Sequence, residues 1–226
     1  MIGNIMTSRL SLKDVEHELL NGLPILIYDG DSREGETDMV FYAGKADWRT
    51  INTLRREAGG LICFATGKEE GDRLGLKYMT EVVKTINPGL VKLPKYGDPP
   101  AFSIYVNHVG TKTGITDYDR ATTVGELYKV VELLSEDEGR AKEKFTSEFY
   151  SPGHVPILLA KRLNERRGHT ELSVRLLEAL GLTKAVVFAE MLTDGRALSR
   201  DEAANYAKAN GLLFITGKEI LEALGG

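Results

Sequence analysis

A chain of 226 residues, 42% hydrophobic and 27% charged, is ordinary for a soluble globular protein and long enough to bury a substantial core. Its 29 Lys and Arg against 33 Asp and Glu leave a net charge of −4 and an isoelectric point near 5.7, which counts against a general nucleic-acid binder. No stretch approaches the roughly 20 apolar residues that span a bilayer. The polar Asn4, Thr7, Ser8 and Arg9 interrupt any signal-peptide core, and the single cysteine, Cys63, excludes an intrachain disulfide or a cysteine-based cluster. One domain over residues 1–226, with no membrane or nucleic-acid partner and a cytoplasmic location, is the expectation.

In chain order, residues 23–28 are the first apolar run and read as a strand, as do 39–43. Between them, Asp29-Gly30-Asp31-Ser32-Arg33-Glu34-Gly35-Glu36-Thr37-Asp38 packs five carboxylates into ten residues. Like charges about 4 Å apart repel by roughly 4 kcal/mol near a protein surface. A solvated acidic turn tolerates that. A loop pinned at a sheet end would instead gather hard oxygen ligands for magnesium or manganese. Were the chain extended, Glu34, Glu36 and Asp38 would share one face at spacings of roughly 7 Å. Asp47 can cap a helix ending at Gly59. Cys63 follows Leu61 and Ile62 and precedes Phe64, the setting of a buried strand thiol.

Further runs at 61–65, 102–106, 155–160, 185–192 and 212–215 read as strands. Asn87-Pro88-Gly89 through Pro94, Gly97, Pro99 and Pro100 breaks regular structure, as a linker or, by preference, a surface loop. Capping-box patterns begin at Thr123, Ser199 and Thr216, each with Glu three residues on. The charged run from Ser135 to Lys144 reads as a solvated helix face. Strands mixed with helices give an α/β or α+β fold, a mixed sheet covered by helices, without the even spacing of a repeating barrel.

Three polar clusters remain. Arg166-Arg167-Gly168-His169-Thr170-Glu171 stands at a helix start, with Thr170 as cap of a helix ending near Gly181. Free amides, arginines and a hydroxyl there make a phosphate cradle or a plain surface turn. His169 beside it is either a structural histidine or the group that completes a metal site begun by the acidic loop. Thr113-Gly114-Ile115-Thr116 with Asp119-Arg120, and Ser151-Pro152-Gly153-His154, are turns with chemical side chains. Glu190 ends an apolar strand, where a buried carboxylate of raised pKa serves proton abstraction beside a carbonyl and a salt-bridged one serves only the core.

The ordered set Arg33-Glu34-Gly35-Glu36-Thr37-Asp38, Gly59-Gly60-Leu61-Ile62-Cys63, Thr113-Gly114-Ile115-Thr116 with Asp119-Arg120, Pro152-Gly153-His154, Gly168-His169-Thr170-Glu171 and Glu190-Met191 resembles 3,4-dihydroxy-2-butanone 4-phosphate synthases of riboflavin biosynthesis. The resemblance covers nearly the whole chain. It implies a homodimeric lyase that converts ribulose 5-phosphate to 3,4-dihydroxy-2-butanone 4-phosphate and formate with magnesium or manganese, two ions per site. Glu34 and His169 match the metal ligands. Arg33, Glu34, Asp38, Arg166, Arg167, Gly168, His169 and Thr170 match substrate contacts. His154 and Glu190 match catalytic positions, with Glu190 as proton shuttle, His154 as a further acid or base, and Glu36 and Asp31 as partners of the ligands or of substrate hydroxyls. Arg167 stands where many relatives have glycine, which leaves open which arginine takes the phosphate. Nothing after residue 226 suggests the cyclohydrolase domain fused to many bacterial relatives, so the chain is expected to act as the synthase alone. A metal-dependent sugar-phosphate aldolase or isomerase, and an RNA-binding module, are the competing readings.

Overall fold

The computed structural model describes residues 10–225; the expectation drawn from the N-terminal Asn4 to Arg9 lies outside them. Strands β1 (Ile25–Tyr28), β2 (Thr37–Tyr42), β3 (Cys63–Gly67), β4 (Phe102–His108), β5 (Phe149–Ala160) and β6 (Ala185–Glu190) are followed by the short hairpin of β7 (Leu192–Thr193) and β8 (Arg196–Ala197), then by β9 (Leu213–Thr216). Apart from that hairpin, they form one mixed seven-stranded sheet in the order β4-β5-β3-β6-β2-β1-β9. The β1–β9 and β3–β5 pairs are parallel and the others antiparallel. Each of the seven apolar runs lies in this sheet. Strands β1, β2 and β3 are buried throughout, because a sheet covered on both faces demands continuous apolar runs rather than alternation.

Helices α1 (Leu12–Leu20), α2 (Trp48–Thr53), α3 (Lys68–Arg73), α4 (Met79–Ile86), α5 (Asp117–Leu134), α6 (Glu138–Glu148), α7 (His169–Ala179), α8 (Arg200–Asn210) and α9 (Gly217–Ala223) fill the connections. One face of the sheet packs Met39, Phe41, Phe64, Ile157 and Val187 against α2, α5, α6 and α8. The other packs Ile27, Val40, Cys63, Leu158 and Phe188 against α1, α7 and α9.

The caps at Ser199 and Thr216 form as expected, with Glu202 and Glu219 accepting the cap amides at 2.8 Å. Asp47 caps α2, which runs on through a wider π-type turn, Leu54–Ala58, to Gly59 at φ +89°. The expected cap at Thr123 is not one. Thr116 caps α5 instead, and Thr123 lies inside the helix, its hydroxyl donating to the Asp119 carbonyl and accepting the His108 amide. Helix α7 likewise begins before Thr170, with Gly168 at its cap and Glu171 accepting the Gly168 amide at 3.1 Å. The run Ser135 to Lys144 is not all helix: Ser135 caps the end of α5, and Asp137 starts α6 by accepting the Arg140 amide. Segment 87–100 is a loop that returns to the sheet, carrying only the short turn Pro88–Leu90.

Cys63 is 1% exposed, and burial, with the nearby charges of Glu190 and Asp38, pushes its thiol well above the ordinary range. It is a packing group. Cys63→Ser is expected to lower the unfolding free energy by about 1–3 kcal/mol, because the hydroxyl lacks a partner there. Urea unfolding checks this, and turnover should change less than stability.

Candidate active site

The site grows from a register. Antiparallel pairing of β2 with β6 sets Asp38 directly opposite Glu190, two carboxylates on one sheet face at a strand end. Like charges so placed are destabilising unless positive charge sits with them. Helix α7 supplies it: His169, 4% exposed, places Nδ1 3.4 Å from Glu34 Oε2 and 3.6 Å from Asp38 Oδ2. Its Nε2 lies 3.1 Å from the Glu36 carbonyl, and donation there leaves Nδ1 facing the acids.

The acidic run is a loop pinned at the sheet end between β1 and β2, not an extended segment. Residues 29–36 fold into a compact turn, closed by the Asp29 amide on the Glu36 carbonyl at 3.2 Å, and the strand begins only at Thr37. Asp29 organises it. Its carboxylate accepts the amides of Glu34, Gly35 and Glu36 at 3.1–3.2 Å and the Arg33 guanidinium at 2.9 Å. Asp29, Glu34 and His169 come close enough to share an ion, but Asp29's oxygens already hold four donors, so its part is to shape the turn.

Electrostatics follow from the crowding. Burial opposes charge on His169, yet the carboxylates of Asp38, Glu34 and Asp29 outweigh it and raise its pKa. Glu34 is held low despite burial, by His169 and Arg33. Complete burial pushes Asp38 up, with Glu190 and Glu34 adding to the effect and His169 opposing it. Glu36 is raised by burial and by the charges of Glu34 and Glu190. Glu190 itself is half-buried, not enclosed as expected, and its Oε2 accepts the Leu61 amide at 2.8 Å.

A cavity of about 130 Å³ opens between Glu34, Asp38, His169, Thr170, Arg166 and Glu190, roofed by Tyr96, Pro100 and Phe102. A larger cleft of about 700 Å³ lies among Lys68, Glu70, Arg162 and Lys184, away from these carboxylates, and several of its charges pair with each other. The smaller cavity has the chemistry. Arg166 is buried and paired with Glu171, which is fully buried and also accepts the Lys161 and Gly168 amides at 3.1 Å. A Cβ at Gly168 would meet Arg166 Nη1 at 2.5 Å and Arg33 Nη2 at 2.6 Å, so a larger residue there would displace both guanidinium groups.

Of the residues singled out from sequence, Arg33, Glu34, Glu36, Asp38, Arg166, Gly168, His169, Thr170 and Glu190 come together here. Three do not. Arg167 is exposed and donates to the Leu163 carbonyl at 3.1 Å. Asp31 is exposed and accepts the Tyr28 hydroxyl. His154 is exposed on β5, its Nδ1 3.1 Å from the Asn107 amide nitrogen, and lies outside the cavity lining. Asp29, Glu171, Tyr96 and Asp98 were not given roles from sequence. Only Asp29, opening a Gly-Asp-Ser turn, carried a local signal.

A hard divalent cation fits this donor set: two carboxylates and one imidazole nitrogen converge, and Asp38 Oδ1 is buried without a partner. Arg33 Nη2 and Arg166 Nε are likewise buried and unpaired, beside the first turn of α7, which suits an anion.

The sequence profile of 3,4-dihydroxy-2-butanone 4-phosphate synthase matches residues 13–223. The synthase of Methanothermobacter thermautotrophicus is 40% identical over 225 residues, 95% of this chain and 96% of that one. That of Methanosarcina acetivorans is 41% identical over 215 residues, 89% of this chain and 86% of the other. Among solved structures, a 3,4-dihydroxy-2-butanone 4-phosphate synthase in complex with two magnesium ions superposes with a TM-score of 0.74 at 26% identity, covering 95% of this chain and 96% of that one. With an acid-lined cavity on a matching fold and a family match over almost its full length, this chain belongs to the 3,4-dihydroxy-2-butanone 4-phosphate synthase family, lyases of riboflavin biosynthesis.

Proposed function

We propose that the cavity around Glu34, Asp38, His169 and Glu190 converts ribulose 5-phosphate to 3,4-dihydroxy-2-butanone 4-phosphate and formate. The observation that carries the reading is the cross-strand pair Asp38 and Glu190 beneath His169. Glu34 and His169 are the proposed metal ligands, for magnesium or manganese. When bound, the metal supplies positive charge to sugar oxygens as the carbonyl enolises.

The chain's own groups do the rest. Arg166 and Arg33, with the amides of His169 and Thr170 in the first turn, receive the phosphate at the positive end of α7. Glu190, half-buried and lining the cavity, takes and returns the proton beside the carbonyl. Asp38, raised in pKa by burial first, is able to hold a proton against a substrate hydroxyl, and Glu36 is shifted in the same direction. The water loss, one-carbon shift and formate release that follow are served by the same groups.

A homodimer is part of the proposal, supported by the exposed apolar side chains Val109, Ile115, Tyr118 and Tyr150 near β4 and β5. A cytoplasmic location is also proposed; among the described residues no helix is long and apolar enough to cross a membrane.

Formate release from ribulose 5-phosphate, measured with and without chelator, tests the reading. Magnesium-dependent formate is the expected result. A clean epimer or a cleaved triose in its place would mean an isomerase or an aldolase.

A further inference from the structure

Segment 87–100, which reads from sequence as surface loop or linker, comes back over the cavity. Its turn at Gly97, φ +89°, is closed by the Gly97 amide on the Pro94 carbonyl at 3.0 Å. The residues on either side of that turn both meet Arg33. The Tyr96 ring lies under the Arg33 guanidinium, 5.1 Å from its centroid, and Asp98 Oδ2 accepts Arg33 Nε at 3.1 Å. Tyr96 walls the cavity with Glu34, Asp38 and His169. Arg33 is thereby held by Asp29, by Asp98 and by an aromatic face, and also pairs with Glu34 at 3.0 Å, with its Nη2 left unpaired beside Gly168.

We infer that Tyr96 and Asp98 are positioning residues for the active site: together they hold Arg33 with its free Nη2 toward an incoming phosphate. The inference rests on the functional reading above. A guanidinium lying on an aromatic ring and locked at Nε has lost the freedom to swing, so Nη2 is presented without a conformational search.

The test uses the full chain with Mn2+ alone, followed by electron paramagnetic resonance of the free ion, and then ribulose 5-phosphate kinetics. Tyr96→Leu removes the aromatic face and should raise KM for ribulose 5-phosphate several-fold while Mn2+ affinity and kcat hold, with the circular dichroism spectrum unchanged. Asp98→Asn should raise KM for ribulose 5-phosphate several-fold while Mn2+ affinity and kcat hold. Variants that match the parent in both measurements overturn the inference and leave the functional reading standing. A parent that neither binds Mn2+ nor releases formate overturns the functional reading, and this inference with it.

Discussion

Glu34→Gln and His169→Ala are each expected to lower formate release by about 10³-fold or more, on the scale of removing one preorganised electrostatic group from a catalytic site. Glu34→Gln keeps the side-chain shape, so the turn built on Asp29 survives; what goes is the charge that His169 and Arg33 hold ionised. His169→Ala removes the imidazole that sits 3.4 Å from Glu34 and 3.6 Å from Asp38, leaving carboxylates facing each other. Neither change touches the sheet, and circular dichroism should match the parent. Activity within tenfold of the parent in either variant would remove both residues from the metal site.

Glu171→Gln is expected to cost about 3–5 kcal/mol of stability, the range for breaking a buried ion pair from one side. Glu171 is fully buried and receives three donors: the Arg166 guanidinium and the amides of Lys161 and Gly168. A carboxamide has one acceptor oxygen, so its NH2 must face a donor, and Arg166 is left buried without a counter-charge. At roughly 2–4 °C per kcal/mol for a domain of this size, the melting temperature should fall by about 10 °C. Differential scanning calorimetry reads it directly. A fall of under 2 °C would show that Glu171 is dispensable as the anchor of α7.

The sheet was legible because its central strands β1, β2, β3 and β6 are covered on both faces, which favours continuous apolar runs there. Helices were less so. Helix α3 has only six residues, too few to show an apolar period, and α4 carries an apolar stripe but no capping signal, since Tyr78 makes no side-chain cap. Thr123 satisfies a capping pattern yet sits nearly two turns inside α5, where the earlier Thr116 and Asp119 had already completed a cap. In the site, residue types were readable and partners were not. Asp38 and Glu190 are separated by more than 150 positions, and only the β2–β6 register makes them neighbours. Arg166 and Arg167 are indistinguishable in sequence; one faces inward because Glu171 lies three residues past Gly168, at the buried start of α7. Tyr96 and Asp98 sit in a segment with no periodicity at all, so nothing local marks them.

The layered arrangement has a consequence for adaptation. Catalytic groups concentrate on the α7 side of the sheet, whereas α2, α5, α6 and α8 blanket the reverse side. Heat tolerance can therefore be tuned in the reverse layer, by refilling space around Phe64, Phe145 and Val187, while the geometry that handles the sugar stays as it is.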